Sequence, residues 1–294
     1  MILYIATPNN LNTIGHLVEE WVPDLAGLIR TLRYDQLVEV ESLPDATYLF
    51  ADLARLMDPA REVVKSFADR VALAGHRIVN EPRVAKGRYE LLRGLFESGR
   101  NPFNAYRLSE FPREVRFPVF VRLGRDHSTS ESPLLENRAD LDEYLVLALL
   151  HGLDPNDLLV IEFEDVADER REVSKFGAFR VGGQVLPRHL LRGSHWAQRV
   201  ALRSPSFRLI EDERAYCESN PHQQEILDIF NFAGLEYGRI DYSIKGGKVV
   251  TWEINDNPMP MSARSVYTPE HLPHQERFAE ALAAALRSLD EGSA

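Results

Sequence analysis

The chain has 294 residues, 44% of them hydrophobic and 27% charged, enough to bury a large core and to form two or three compact units. Its 34 Lys and Arg stand against 45 Asp and Glu, a net charge of −11. That balance argues against non-specific binding to nucleic acid or an anionic membrane, while a local basic pocket for a polyanion stays open.

In chain order, MILYIA (1–6) reads as a buried strand that ends at Pro8. Residues 14–33 read as mostly helical, broken at Pro23. ATYLFADLARL begins as a strand at 47–50 and turns helical. DPAREVVKSFADRVALAG has helical spacing at Val63, Val64, Phe67, Val71 and Leu73, closed by Gly75. HRIVN is a short strand, completing a small α/β layer. PRVAKGRYELLRGLFESG reads as a helix with Leu91, Leu92, Leu95 and Phe96 on one face. FPVFVRLG (117–124) is a strand, RDHSTSESP a polar loop, RADLDEYLVLALLHG a helix and DLLVIEFED (157–165) a strand. A hairpin follows with Gly182-Gly183 at its turn. Residues 212–234 are helical around Pro221, and PEHLPHQERFAEALAAALRSL closes the chain as an amphipathic helix.

The only cysteine is Cys217, so there is no intrachain disulfide framework, and the thiol reads as inert. No apolar run reaches the roughly 18–20 residues of a membrane span. The start lacks the basic n-region and long h-region of a signal peptide. A cytoplasmic protein is expected by default.

The most informative stretch is GRIDYSIKGGKVVTWEINDNP (238–258). Strand periodicity puts Arg239 and Asp241 on one face, and Glu253 and Asn255 on one face. Whether these faces coincide depends on register. A two-residue turn at Gly246-Gly247 would pair Asp241 with Trp252 and turn Glu253 away. A three-residue loop, Lys245-Gly246-Gly247, would pair Asp241 with Thr251 and Arg239 with Glu253. It would also align Ile240 with Trp252 and Tyr242 with Val250 on one apolar face, which suits a sheet buried on one side. The three-residue loop is therefore expected. Oxygen donors gathered in this way suit Mg²⁺, and a solvated polar face with an ordinary cross-strand Arg–Glu pair is the competing reading.

R-x-D, a hairpin, then E-x-N-x-N-P resembles the C-terminal signature of the ATP-grasp superfamily, to which D-alanine–D-alanine ligase and glutathione synthetase belong. The resemblance implies Asp241, Glu253 and Asn255 as ligands for Mg²⁺ ions that bridge the ATP phosphates. It implies Arg239 at the acyl-phosphate and tetrahedral species. VNEPRVAKGRYELL resembles the first phosphate-contacting segment, with Arg88 where a lysine commonly stands and Lys86 two residues before it. FPVFVRLG resembles the family strand that carries another lysine, here Arg122. LLVIEFED resembles the hinge strand, with Glu162 and the backbone of Phe163 at the adenine. SKFGAFRVGGQVLPRHL resembles the strands behind the phosphates, with Lys175 near ATP. Arginine keeps the charge and adds a bidentate fork, but its shape differs from that of lysine. The loop GRDHSTSES has one glycine, and Ser128, Thr129 and Ser130 stand where a glycine-rich lid is usual.

The resemblance spans roughly 80–260 and implies an α/β class with α+β lobes. The expected division is a pre-ATP-grasp α/β domain at 1–80, a central lobe at 81–161 and a C-terminal lobe at 162–294 carrying the hairpin. It implies ATP and Mg²⁺ as cofactors, and small-molecule or peptide substrates offering a carboxylate and an amine. No nucleic acid or membrane partner is expected, and a homodimer stays open.

RHLLRGSHW places His189 and His195 six apart beside Trp196, a spacing that fits neither H-E-x-x-H nor a zinc finger. It reads as a polar loop near the cleft, where Arg188 and His189 could hold an anionic substrate. G-x-S-x-G, the P-loop and G-x-G-x-x-G are absent. Three functions follow from the resemblance. The first is a ligase that activates a carboxylate as an acyl phosphate for attack by an amine. The second is a small-molecule kinase, and the third a nucleotide-binding regulatory module with degraded catalysis. The Arg239, Asp241, Glu253 and Asn255 set favours the first two, and the glycine-poor loop favours the third.

Overall fold

The structure is a computed structural model that describes residues 1–112, 114–125, 132–194 and 207–291. Its first layer is a parallel sheet. Strand β1 (Ile2–Ala6) lies between β2 (Ile29–Arg33) and β3 (Thr47–Phe50), and β4 (Ile78–Val79) pairs with β3. Every residue of β1 is buried, as expected of a parallel strand covered on both faces. Its side chains alternate between two cores. Leu3 and Ile5 meet Tyr48, Phe50 and helix α1 (Asp58–Leu73), while Ile2 and Tyr4 meet Leu17, Leu25 and the last helix of the chain.

Two sequence expectations need correction here. Residues 14–33 are not helical throughout. Short π and 3-10 turns cover Leu17–Trp21 and Pro23–Gly27, and Ile29–Arg33 is a strand. Pro23 limits each helical piece to about a turn, and the backbone of Ile-Arg-Thr-Leu-Arg is taken up by pairing with β1, Ile2 against Ile29. In α1, Val64, Phe67, Ala68 and Val71 are buried, whereas Val63 and Leu73 face solvent.

Helix α2 (Arg88–Glu97) follows, with Leu91, Leu92 and Leu95 buried. It begins after Gly87, because a turn at 82–84 and an irregular stretch to Gly87 come first. A three-stranded antiparallel sheet comes next. Strand β5 (Ala105–Arg107), too short to be read from sequence, and β6 (Val119–Leu123) flank β7 (Leu158–Glu162). Helix α3 (Arg138–Leu150) joins β6 to β7. Its Asn137 cap accepts hydrogen bonds from the Ala139 and Asp140 amides.

Strands β8 (Val173–Val181) and β9 (Gln184–Gly193) form the hairpin expected around Gly182-Gly183, with Val181 opposite Gln184. Helices α4 (Phe207–Ser219) and α5 (Gln223–Ala233) break around Pro221 as expected. Strands β10 (Tyr237–Lys245) and β11 (Lys248–Asn255) complete a sheet of order β11-β10-β8-β9, and α6 (Leu272–Glu291) ends the described chain.

This second antiparallel sheet is covered on both faces. On one face, Ile240, Tyr242, Val249 and Ile254 pack with Ile226, Ile229 and Phe230 of α5. On the other, Val250 and Trp252 pack with Phe120, Leu159 and Ile161 of the three-stranded sheet, and Trp252 stacks on Phe103 at 5.2 Å. Helix α6 packs beside β1 through Leu282 and Leu286, which ties the end of the chain to its first layer.

Candidate active site on the β10–β11 hairpin

The expected three-residue loop is not what forms. Lys245 pairs with Lys248 across a two-residue Gly246-Gly247 turn. Both glycines have positive φ, 56° and 76°, the conformation that a type I′ hairpin turn requires. The sequence argument assumed a sheet buried on one side. With apolar partners on both faces, Val249 and Val250 can point in opposite directions without penalty.

A β-bulge then restores the convergence by another route. The register shifts between Asp241 and Tyr242, so Thr251 lies opposite Tyr242 and Glu253 opposite Asp241. Trp252 is the extra residue. Beyond the bulge Arg239 lies opposite Asn255, and Arg239, Asp241, Glu253 and Asn255 share one face. A row runs straight across the sheet from His189 through Gly177 and Asp241 to Glu253.

Cations crowd both carboxylates. Asp241 is buried, with Lys175 Nζ 2.7 Å from its Oδ2 and Arg239 Nε 2.9 Å from its Oδ1. Burial alone would push the Asp241 pKa up, but Arg239 and then Lys175 outweigh it and bring it down to about 2. Glu253 Oε2 accepts from two guanidiniums, Arg88 Nη2 at 2.5 Å and Arg122 Nη2 at 3.1 Å. Arg88 is fixed at its other nitrogen, Nη1, which donates to the carbonyls of Leu123 and Gly124.

His189 lies on Gly177. A Cβ at that glycine would stand 2.4 Å from the imidazole Cε1, so only glycine leaves room for the ring. Loss of hydration lowers the His189 pKa to about 3, and the imidazole is neutral. Behind the sheet, the Tyr216 hydroxyl donates to the Gly177 carbonyl and meets Tyr242 Oη at 3.0 Å.

The segment after β11 ties the hairpin to the first layer. Asn257 donates its amide N–H to Asn255 Oδ1, and its own Oδ1 accepts from Tyr4 and Thr13. Asp256 Oδ2 accepts the Leu53 amide at 2.7 Å. A small cleft opens beside these residues, lined by Leu53, Arg61, Lys86, Arg88, Ile254 and Asp256.

No protein-family model matches this chain, and no curated protein matches it. Its fold does match solved structures. The structure of D-alanine–D-alanine ligase from Bacillus anthracis complexed with ATP superimposes with a TM-score of 0.55 at 14% identity. The match covers 98% of this chain and 98% of that one. The chain has the ATP-grasp fold. A second structure of the same Bacillus anthracis ligase gives the same TM-score and coverage at 12% identity.

Within this ATP-grasp fold, the residues expected at the phosphates and metal lie together. Arg88, Arg122, Lys175, Arg239, Asp241, Glu253 and Asn255 form one cluster linked by the contacts above. Asp241, Glu253 and Asn255 offer oxygen donors, a set that suits a hard cation such as Mg²⁺. Among the described residues, no three His, Cys, Asp or Glu side chains gather closely enough to hold a metal on their own.

Glu162 and Phe163 lie at the end of β7, and both are engaged there. The Glu162 carboxylate accepts from the Asn104 amide at 3.1 Å, the Tyr106 hydroxyl at 3.0 Å and the Arg116 amide at 3.2 Å. The Phe163 N–H donates to the Pro118 carbonyl. Arg188 is the extra residue of a second bulge, next to His189. Its guanidinium donates to the Pro260 carbonyl and the Tyr267 hydroxyl and lies 4.6 Å from the Phe278 ring centre. Ser128, Thr129, Ser130, His195 and Trp196 lie outside the described residues.

Sequence reasoning missed Gly177, Asp256 and Asn257. The signal for the last two was the run Asn-Asp-Asn-Pro, a turn composition placed directly after the ligand strand. For Gly177, a lone glycine inside an otherwise continuous strand pattern marks close approach by another group.

Among the described residues, no helix is long and apolar enough to cross a membrane.

Proposed function

We propose that this chain is an ATP- and Mg²⁺-dependent ligase that joins a carboxylate to an amine, releasing ADP and phosphate. What supports this reading most is the hairpin face, where two carboxylates, an amide and four cationic side chains meet. A carboxylate is a poor electrophile, and phosphorylation gives it a leaving group. The protein's share is to position reactants and neutralise charge.

In this reading Asp241, Glu253 and Asn255 hold Mg²⁺, which when bound would neutralise charge on the phosphates. Arg88, Arg122 and Lys175 face the phosphate oxygens. Arg239, ion-paired to Asp241 at 2.9 Å, stabilises the anionic species formed on the substrate carbonyl. Glu162 fixes the hinge against which Phe163 borders the adenine, and the neutral His189 and Arg188 line the acceptor side. The substrates are small molecules or peptides that supply one carboxylate and one amine. The units 1–80, 81–161 and 162–294 enclose the cleft from three sides, and the chain works as a monomer or a homodimer.

The test is thermal unfolding with ATP, with and without Mg²⁺, followed by a screen of carboxylate and amine pairs. A ligand at a hundredfold excess over its Kd stabilises the native state by about 2.7 kcal/mol. A Mg²⁺-dependent shift and ADP release with stoichiometric amide are expected. ADP release with a stable phosphate ester would replace the ligase by a kinase. No shift at millimolar ATP would leave a binding module without nucleotide chemistry.

A further inference from the structure

We infer that Arg188 anchors a free, non-reacting carboxylate of the amine substrate, and that this substrate is an extended, peptide-like acid rather than a single α-amino acid. The inference rests on the ligase reading above and names the class of one of its two reactants.

Arg188 is 9% exposed, and a buried cation is ordinarily paired with an anion. Its guanidinium instead has neutral partners, the Pro260 carbonyl, the Tyr267 hydroxyl and the Phe278 ring. Among the described residues, no ion pair includes Arg188. Glu213 of α4 gives its carboxylate to the Leu190 amide at 3.0 Å. Residues 194–210, which follow β9, contain no Asp or Glu. Arg188 donates through Nε and one N–H of Nη2. The N–H groups left on Nη1 and Nη2 form the end-on fork that holds both oxygens of a carboxylate.

This fork stands on the reactive face of the sheet, at a distance from the reacting groups. Phe179 lies directly opposite Arg239, and so on the face that Arg239 shares with Asp241. Its ring meets Phe278 at 5.5 Å, and Arg188 rests on Phe278 at 4.6 Å. Two aromatic rings thus separate Arg188 from Arg239, and two strand spacings, about 10 Å, separate β9 from β10. A carboxylate on Arg188 is not the one that Arg239 attends. A compound that reaches from one to the other has the length of about three extended residues. His274 and Gln275 flank Phe278 on α6, four and three residues before it. His274 Nε2 and Gln275 Oε1 are buried without a hydrogen-bond partner. The amides of an extended chain supply the donors and acceptors that these polar ends lack.

The arginine Nε–Hε resonances of the full chain read the anchor without turnover. Arg188→Lys assigns the Arg188 signal by its loss, and Tyr267→Phe assigns it by a shift where the first variant does not fold. Acetate, with ionic strength held by chloride, is expected to move this signal saturably below about 0.1 M, and acetamide is not. A signal that acetate leaves in place overturns the inference alone. With Mg²⁺ and a non-hydrolysable ATP analogue bound, triglycine should bind about tenfold or more tighter than triglycinamide, the worth of a charge-assisted hydrogen bond, and tighter than glycine. Triglycinamide that binds as well as triglycine overturns the anchor, and glycine that binds as well overturns the extended acid. A folded chain that responds to acetate but binds no nucleotide overturns the ligase reading and the substrate class with it, and leaves Arg188 as a carboxylate site alone.

Discussion

Glu253 and Glu162 are both buried carboxylates, 8% and 5% exposed, yet their partners differ in kind. Glu253 is held by the ends of two long side chains, Arg88 and Arg122. Glu162 is held by two backbone amides and a tyrosine hydroxyl, with Arg116 only at 3.5 Å. Backbone donors cannot be traded for a ligand without breaking the fold, whereas a guanidinium can rotate away. Sequence resemblance assigned both residues to ATP. The identity of the donors separates a carboxylate held by side chains from one that serves as a joint between β7, β5 and the segment before β6.

The sharpest way to break this contrast is to neutralise each carboxylate. Glu253→Gln should lower the rate of ADP release by about a thousandfold or more, since it removes charge that acts in the transition state. A variant within tenfold of wild type would take Glu253 away from the metal. Glu162→Gln should instead cost about 1–3 kcal/mol of stability, the penalty for weakened buried hydrogen bonds. Its rate should stay within about tenfold. Urea titration together with steady-state kinetics reads both, and loss of turnover at unchanged stability would make the two carboxylates equivalent.

A smaller effect separates the two regions by pH. His189 and His274 have pKa values lowered by burial, to about 3 and about 4. Below about 6.5 the unfolded chain takes up protons at these positions and the folded chain does not. Stability should therefore fall as pH drops from about 6.5 toward 4, by up to about 1.4 kcal/mol per pH unit for His189. The slope is smaller for the partly exposed His274. Asp241 acts in a lower window. Its folded pKa of about 2 contributes stability that is present above about 4 and lost as pH falls toward 2. Urea midpoints from pH 7 to 5 should flatten in His189→Gln, and an unchanged slope would mean that the imidazole is hydrated in solution.

Strong local patterns made much of the fold readable. The apolar runs of β1 and β7, the helical spacing of α1 and the Gly182-Gly183 turn after β8 each carry their own signal. Strands β2 and β5 carried none, because short edge strands owe their form to the neighbour they pair with. At the site, the two-residue spacing of Arg239 with Asp241 and of Glu253 with Asn255 was legible, as was their resemblance to a ligand set. Which face they share was not. It depends on what covers the sheet and on one bulge, and neither is written in the periodicity of β10 or β11. The contact of Arg88 and Arg122 with Glu253 is likewise invisible in sequence, since it joins residues up to 165 positions apart.

The bulge at Trp252 also sets a parity rule for the hairpin. Asp241 and Glu253 both carry odd numbers, and a two-residue turn pairs odd positions with even ones. One inserted residue changes the parity once, and the two carboxylates meet. With Trp252 kept in a regular, unbulged ladder, Glu253 would lie opposite Ile240, and moving the extra residue into a three-residue turn would return it to the side of Arg239 and Asp241. Turn length and bulge are therefore a single coupled variable, and any chain that keeps the ligand face can change one only by changing the other.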